Sequence, residues 1–300
     1  MKPYTSFVPG KLSPAVSPLP MGQEPFPGCL LRQFRGRGAF GEVWEAEVPG
    51  GKRVALKFIP CDPTNAPREI RSLQHVRQIE HPSLIRIEKV LCCPGHLLVV
   101  MELAQKSLLD LLESSLEEAG GPPAAPLVCK HLSQVAEVLD FMNARQHRVD
   151  GQLVAFRHCD IKPSNMLLFG ERVKLTDFGI TLMTASASQA HSRCGTPAYA
   201  APEVFQGKVT DRSDQYSLAI SYYVLRTGRL PFHDTPEDLR PDYVRPAPDL
   251  TLVAPKERSI LARAFSHAAM DRWPSCTEMM NQLTRAVQRT GRHRAVAGRH

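Results

Sequence analysis

The sequence predicts an α+β chain of two unequal lobes, a small β-rich lobe with one helix followed by a larger, mainly helical lobe. Three observations lead there. Between Cys29 and Ala104, apolar and polar residues alternate in five short runs, the period of half-buried strands. Within that region one segment, "PREIRSLQHVRQIE", breaks the alternation and sets Ile70, Leu73, Val76 and Ile79 at helical spacing. From Ser107 onward the texture turns to amphipathic helices.

Taken in order, residues 1–28 hold seven prolines among small and polar residues, which predicts an extended or disordered leader. "CLLRQFRGRGAFGEVWEAEV" reads as two strands around a glycine turn, and "KRVALKFI" as a third after the Pro49-Gly50-Gly51 turn. The helix through Ile70 should end by His81-Pro82, because a residue preceding proline is pushed out of the helical region. "SLIRIEKVLCC" and "HLLVVMEL" are the next two strands. After the Gly/Pro-rich insertion "AGGPPAAP", "LVCKHLSQVAEVLDFMNAR" reads as a long amphipathic helix. "NMLLF" and "RVKLT" are short strands, and further helices run to about residue 287. The expected organisation is a leader at 1–28, a folded domain at 29–286 split into lobes at 29–104 and 105–286, and a basic tail at 287–300.

Composition narrows the class. An apolar fraction of 43% and a charged fraction of 22% are those of an ordinary globular protein with a real core. The strongest apolar stretch, "HLLVVMELA", is half the length a membrane span needs, and no signal peptide is visible, so a cytoplasmic enzyme is expected. The net charge of +7 gathers in "RAVQRTGRHRAVAGRH", where no aromatics interleave the basic residues; a solvated terminus is expected, not a nucleic-acid arm. The eight cysteines form no CxxC pair, which argues against a zinc ribbon or a thioredoxin-type site.

The motifs carry chemistry jointly. "GRGAFGEV" fits G-x-G-x-x-G-x-V through Gly36, Gly38, Gly41 and Val43, and glycines let a hairpin backbone approach phosphates. By itself this is a tight hairpin as readily as a phosphate loop, and its place between two strands disfavours a dinucleotide site. Lys57 in "VALKF" could be a solvated strand residue, or a phosphate ligand oriented by a counter-charge such as Glu69. "RHCDIKPSN" supplies His158, Asp160, Lys162 and Asn165, and "TDFG" adds Asp177. Phosphoryl transfer needs such parts: a carboxylate to orient a hydroxyl, a cation near the transferred group, and oxygen ligands for magnesium. Each motif alone could be a turn; all of them in order are not a coincidence.

Together these motifs resemble the protein serine/threonine kinases, most closely the bacterial, eukaryotic-like (Hanks-type) branch, over residues 29–285. The resemblance implies the two-lobed kinase fold and ATP and magnesium as cofactors. Residue by residue, Gly36, Gly38, Gly41 and Val43 resemble the glycine-rich loop, with Val43 and Ala55 as walls for adenine. Lys57 resembles the phosphate-contacting lysine and Glu69 its helix partner, although the distance from Glu69 to "HPSL" is three residues longer than in many animal kinases. Met101 falls at the gatekeeper position, Glu102 and Ala104 at the hinge, and Leu167 at the floor of the adenine pocket. Asp160 resembles the catalytic base, Lys162 the lysine that steadies the transferred group, and Asn165 and Asp177 the magnesium ligands. "GTPAYAAPE" (195–203) resembles the peptide platform, with Thr196 contacting Asp160 and Lys162, Glu203 pairing with Arg272, and Asp214 bracing the catalytic loop. Lys162 and Thr196 imply serine or threonine acceptors in protein substrates.

One letter departs from the pattern: Cys159 stands where relatives carry an arginine that pairs with a phosphate on the activation segment. The expectation is that catalysis survives while this route of control is lost. Thr181, Thr184, Ser186, Ser188 and Ser192 are candidate phosphorylation sites, and Cys159 and Cys194 lie near the expected site. With no membrane span or outer sensor in the chain, regulation is expected through a partner, through the leader or basic tail, or not at all. A nucleotide-binding scaffold without transfer, and a small-molecule phosphotransferase, are the two rivals; the platform and Arg272 argue against the second.

Overall fold

A computed structural model describes residues 21–38, 41–61, 66–93, 95–177, 182–183 and 195–297, with the side chains of the same residues except 66–69, 72, 182–183 and 290–297. The chain divides into two compact units, one of residues up to 78 together with 85–103, the other of 79–84 together with 104 onward.

The first unit is a five-stranded antiparallel sheet in the order β1-β2-β3-β5-β4, from β1 (Leu30–Gly38), β2 (Gly41–Val48), β3 (Lys52–Pro60), β4 (Ile87–Cys93) and β5 (His96–Glu102). Alternation sorts its two faces. Trp44, Ala46, Val54, Leu56, Phe58, Leu98 and Val100 gather with Cys29 and Leu31 into one buried cluster. The opposite face carries the cross-strand partners Val43, Lys57 and Val99, and beside them Ala55 and Met101. β2 meets β3 closely at Gly41, where a Cβ would fall 1.8 Å from the Phe58 carbonyl oxygen, so only glycine fits. The helix of this unit, α1 (Ala66–Arg77), buries Leu73 and Val76, as their spacing predicts.

Residues 21–28, which the sequence assigns to the leader, are tied to the sheet: Gly22 N–H donates to the Leu31 carbonyl, Leu31 N–H donates to that of Gln23, and Phe26 packs against the buried cluster. Proline content predicts an extended chain there, but an extended chain can still pair with a strand.

The second unit is mainly helical. α2 (Leu108–Ala119) starts in a capping box between Ser107 and Asp110 and ends at Gly120, whose φ of 68° only glycine adopts freely. α3 (Ala125–Asn143) buries one long stripe, including Leu132, Val135 and Leu139, against α7 (Cys276–Ala297). Asp140 on α3 accepts the backbone N–H groups of Cys276 and Thr277 and so caps α7 from outside it. α7 runs on through the stretch expected to be tail, because its repeat of apolar and basic residues continues the helical period. α5 (Ser213–Thr227) is buried nearly all round, and its first turn carries the half-buried Asp214. A short sheet of β6 (Lys106–Ser107), β10 (Met166–Phe169) and β11 (Arg172–Leu175) holds the "NMLLF" and "RVKLT" segments. β7 (His147–Val149) and β8 (Gln152–Val154) form a hairpin turned at Asp150 and Gly151, both at positive φ. β9 (Phe156–Arg157) pairs with β12 (Leu182–Met183) and leads into the loop that carries Asp160. α4 (Pro202–Phe205) and α6 (Pro255–Ala264) complete the helices among the described residues.

Candidate active site

In the second unit, three side chains meet at Asp160. The carboxylate is 2% exposed. Thr196 Oγ1 donates to its Oδ1 at 2.7 Å, and Lys162 Nζ lies 2.9 Å from its Oδ2. Lys162 also donates to Thr196 Oγ1 at 2.6 Å, closing a triangle across 36 residues of chain. Asn165 Nδ2 donates to the Asp160 carbonyl at 2.8 Å and to its Oδ2 at 3.0 Å. Burial alone would raise the Asp160 pKa, but the charge of Lys162 and the hydrogen bond from Thr196 outweigh it and hold the carboxyl below its ordinary value.

The loop that presents these groups is braced through its backbone. Asp214 accepts the N–H groups of His158 and Cys159, each at 2.8 Å. Cys159 sits at φ 65°, a left-handed conformation that costs energy for a residue with a Cβ and persists here because Asp214 grips the peptide. On the other side of that peptide, Gly195 packs onto the Cys159 carbonyl, where a Cβ would come within 2.1 Å of the oxygen; its own φ is 93°. His158 Nε2 donates to the Thr176 carbonyl at 2.7 Å while its Nδ1 accepts the Asp160 N–H at 3.2 Å, so the imidazole links the loop to the residue before Asp177. The sequence assigns His158 no such task. Thr176 N–H donates to the Asn165 carbonyl at 3.0 Å, which ties the two oxygen-bearing residues Asn165 and Asp177 to a common backbone frame. Asp177 itself holds φ 70°.

The platform is anchored at its far end. Arg272 is wholly enclosed and forks onto Glu203, Nη1 to Oε1 at 2.8 Å and Nη2 to Oε2 at 2.7 Å. Burial pushes the Glu203 carboxyl up, but the bonds and charge of Arg272 pull it below its usual range. Arg157, two residues before Cys159, turns its guanidinium to Asp211. Nothing in the motif spacing points to Asp211, or to Arg245, which reaches the platform from a stretch with no motif at all.

The remaining expected residues fall in both units. Val43, Ala55, Lys57 and Met101 share one sheet face of the first unit, with Lys57 buried in a row between Val43 and Val99. Gly36, Gly38 and Gly41 lie at the β1–β2 end of that sheet. Glu102 closes β5 and accepts the Arg86 N–H at 2.8 Å with its carboxylate. Ala104 opens the second unit, and Leu167 lies on β10 opposite Ser107 and Lys174. Glu69 is on α1, but its side chain lies outside the described residues, as do Cys194 and the candidate phosphorylation residues Thr181, Thr184, Ser186, Ser188 and Ser192.

The donor set suits a hard cation. Asn165 commits its amide nitrogen to Asp160, which leaves its amide oxygen to offer, and Asp177 brings a carboxylate. Among the described residues no cluster of three or more His, Cys, Asp or Glu could hold a metal by itself. An ion held by these two residues would therefore fill its shell from water and phosphate oxygens, the habit of magnesium.

The protein kinase domain family matches residues 31–287. The chain is 33% identical to CBL-interacting protein kinase 4 of Oryza sativa subsp. japonica over 68% of its length and 45% of the relative's. It is 31% identical to serine/threonine-protein kinase Pkn1 of Myxococcus xanthus over 93% of its length and 42% of the relative's. The carbon catabolite-derepressing protein kinase of Candida tropicalis is 28% identical over 72% of this chain and 35% of its own. The chain thus spans less than half the length of these curated relatives. Among its described residues, no helix is long and apolar enough to cross a membrane. The chain belongs to the protein kinase family.

Proposed function

We propose that the protein is an ATP- and Mg²⁺-dependent protein serine/threonine kinase of the bacterial, eukaryotic-like branch, acting in the cytoplasm. The observation that carries this is the Asp160–Lys162–Thr196 triangle with Asn165 behind it. A carboxylate offers about four acceptor sites. Thr196 takes one on Oδ1, which leaves that oxygen able to receive an incoming hydroxyl. Because Asp160 is held ionised, it enters turnover as an acceptor that orients the serine or threonine hydroxyl and takes its proton as the oxygen–phosphorus bond forms. Lys162 stands beside that hydroxyl and offsets negative charge on the transferred group.

Bound ATP would supply the γ-phosphoryl group, and magnesium would supply positive charge that offsets that of the phosphates. Lys57, oriented by Glu69, and the backbone amides of Gly36, Gly38 and Gly41 would hold the phosphates. Val43, Ala55, Met101 and Leu167 would enclose the adenine, with the Glu102 and Ala104 backbone bonding its edge. Asn165 and Asp177 would hold the metal. Protein substrates would lie along 195–203, with nucleic acid no part of the reaction, and a regulatory partner would act through the leader or the basic tail. The domain would span 29–286 between those segments.

Cys159 supports a further part of this reading, that activity is not governed through an arginine at that position. Its thiol donates to the neighbouring Arg157 carbonyl at 3.7 Å, and a thiol cannot fork onto a phosphate. Arg157, two positions away in sequence, pairs its guanidinium with Asp211.

The test is transfer of label from γ-labelled ATP with Mg²⁺ to the chain itself and to a generic basic protein. Asp160→Asn should bind nucleotide as the wild type does while turnover falls by about 10²–10⁴-fold. Label on serine or threonine that depends on Asp160 supports the kinase. A wild type that binds ATP and transfers nothing to any acceptor makes the protein a scaffold instead.

A further inference from the structure

Thr196 can bridge Asp160 and Lys162 only if the backbone that carries it is held still. Glu203, at the far end of the platform, is held by Arg272. The near end is held by a residue that belongs to no motif. Arg245, in the irregular stretch between α5 and α6, donates from Nη2 to the carbonyl of Pro197 at 2.6 Å and to that of Ala200 at 2.7 Å. These carbonyls bracket the 3-10 turn Pro197–Tyr199, which follows Thr196 directly.

The setting of Arg245 is costly. The residue is 6% exposed, and among the described residues its Nε and Nη1 have no hydrogen-bond partner. Its guanidinium lies 4.7 Å from the ring centroid of Phe232 and 5.1 Å from that of Phe205, with Tyr243 and Tyr216 slightly farther. Among the described residues no carboxylate pairs with it. A buried cation with only ring faces and carbonyls for company carries a large desolvation penalty. An apolar side chain of similar volume would fill the same box at less cost, so packing does not account for an arginine here. What an apolar side chain could not do is grip two carbonyls of the platform.

We propose that Arg245 is a positioning residue for phosphoryl transfer: by pinning the Pro197 and Ala200 carbonyls it sets the Thr196 hydroxyl against Asp160 and Lys162, and so presets the place where the acceptor hydroxyl enters. The proposal rests on the kinase reading above. It predicts loss of turnover with nucleotide binding untouched, since Arg245 acts on the acceptor side alone.

The experiment is steady-state transfer to a serine- or threonine-containing peptide by the full chain, with nucleotide affinity and Tm measured beside it. Three variants are compared: Arg245→Met, Arg245→Lys and Phe265→Leu. Phe265 packs edge-on against Tyr216 and Phe232 and so loosens the same aromatic cluster without touching Arg245. Arg245→Met should lower kcat for the peptide about ten- to a hundredfold, the scale of a misplacement near 1 Å, with KM for ATP unchanged. Arg245→Lys, which keeps a donor but not the planar fork, should recover part of that loss. Phe265→Leu should lower Tm and leave kcat near the wild type. If kcat falls in step with Tm across all three, or if Arg245→Met keeps wild-type kcat, Arg245 only packs and the proposal is wrong. Should Arg245→Met not fold, the comparison of Arg245→Lys with Phe265→Leu decides in the same way: a slower lysine variant supports the proposal, and equal rates overturn it. A wild type without transfer removes the kinase reading and this inference with it, whereas an active wild type with indifferent variants removes the inference alone.

Discussion

On the five-stranded sheet, arginine–carboxylate pairs run from strand to strand in view of water; at the end of the 195–203 platform, a pair of the same chemistry is sealed away. Arg32 and Glu47 lie 2.9 Å apart with side chains 44% and 33% exposed. Arg272 and Glu203 lie 2.7 Å apart with the arginine at 0%. Between these extremes, Glu45 is buried but shared by two half-exposed arginines, Arg35 and Arg53. The sheet pairs decorate a hairpin whose order comes from backbone ladders and a buried apolar face, so their contribution is small and screened. The platform has no ladder. Its backbone is held by side chains that reach it from elsewhere in the chain, and losing one strands a charge in the interior. The same contact is thus ornament in one unit and framework in the other.

The sharpest way to break this contrast is Arg272→Ala. Leaving Glu203 buried without its cation should cost about 3–5 kcal/mol, a fall in Tm of about 10 °C, with peptide transfer lost before nucleotide binding. Gly195→Ala comes next. It forces a Cβ onto the Cys159 carbonyl and a left-handed φ on alanine, for about 1–3 kcal/mol and a displaced loop beside Asp160, read as a lower Tm together with a lower kcat. A smaller effect should appear in acid. The folded Glu203 carboxyl titrates below its ordinary value of 4.5, so its contribution is complete above that pH and is lost as pH falls through the folded value. The Tm difference between the wild type and Glu203→Gln should therefore be full at neutral pH and close as pH drops below about 4.5; a gap that stays constant would show that the charge of Glu203 does not matter. At the bottom of the scale, Arg32→Ala should change stability by less than about 1 kcal/mol, and raising salt should shrink even that. A large loss there would erase the distinction between the two units.

Much of the site was legible because its parts are near one another in sequence. Asp160, Lys162 and Asn165 lie within six residues, so a short loop presents them together whatever surrounds it. Strand alternation marked the faces of the first sheet, and the spacing of Leu73 and Val76 marked α1. The β7–β8 hairpin was also within reach, since Asp150-Gly151 between apolar runs is the usual signal of a two-residue turn. The pairing of Gly22 and Gln23 with Leu31 was not, because it depends on a free strand edge that composition does not reveal.

By itself, then, the sequence determined the α+β lobes and membership of the protein kinase family, features whose signal is a local period or a short spacing. Only the tertiary structure decided which loop groups the expected Asp214 brace grips, that Arg157 pairs with Asp211, and that Arg245 holds the Pro197 and Ala200 carbonyls. Each of those contacts joins residues 45 or more positions apart, and several end on backbone groups, which every residue has. A donor that seeks a carbonyl leaves no mark on the identity of its partner, so no pattern of side chains could have announced it.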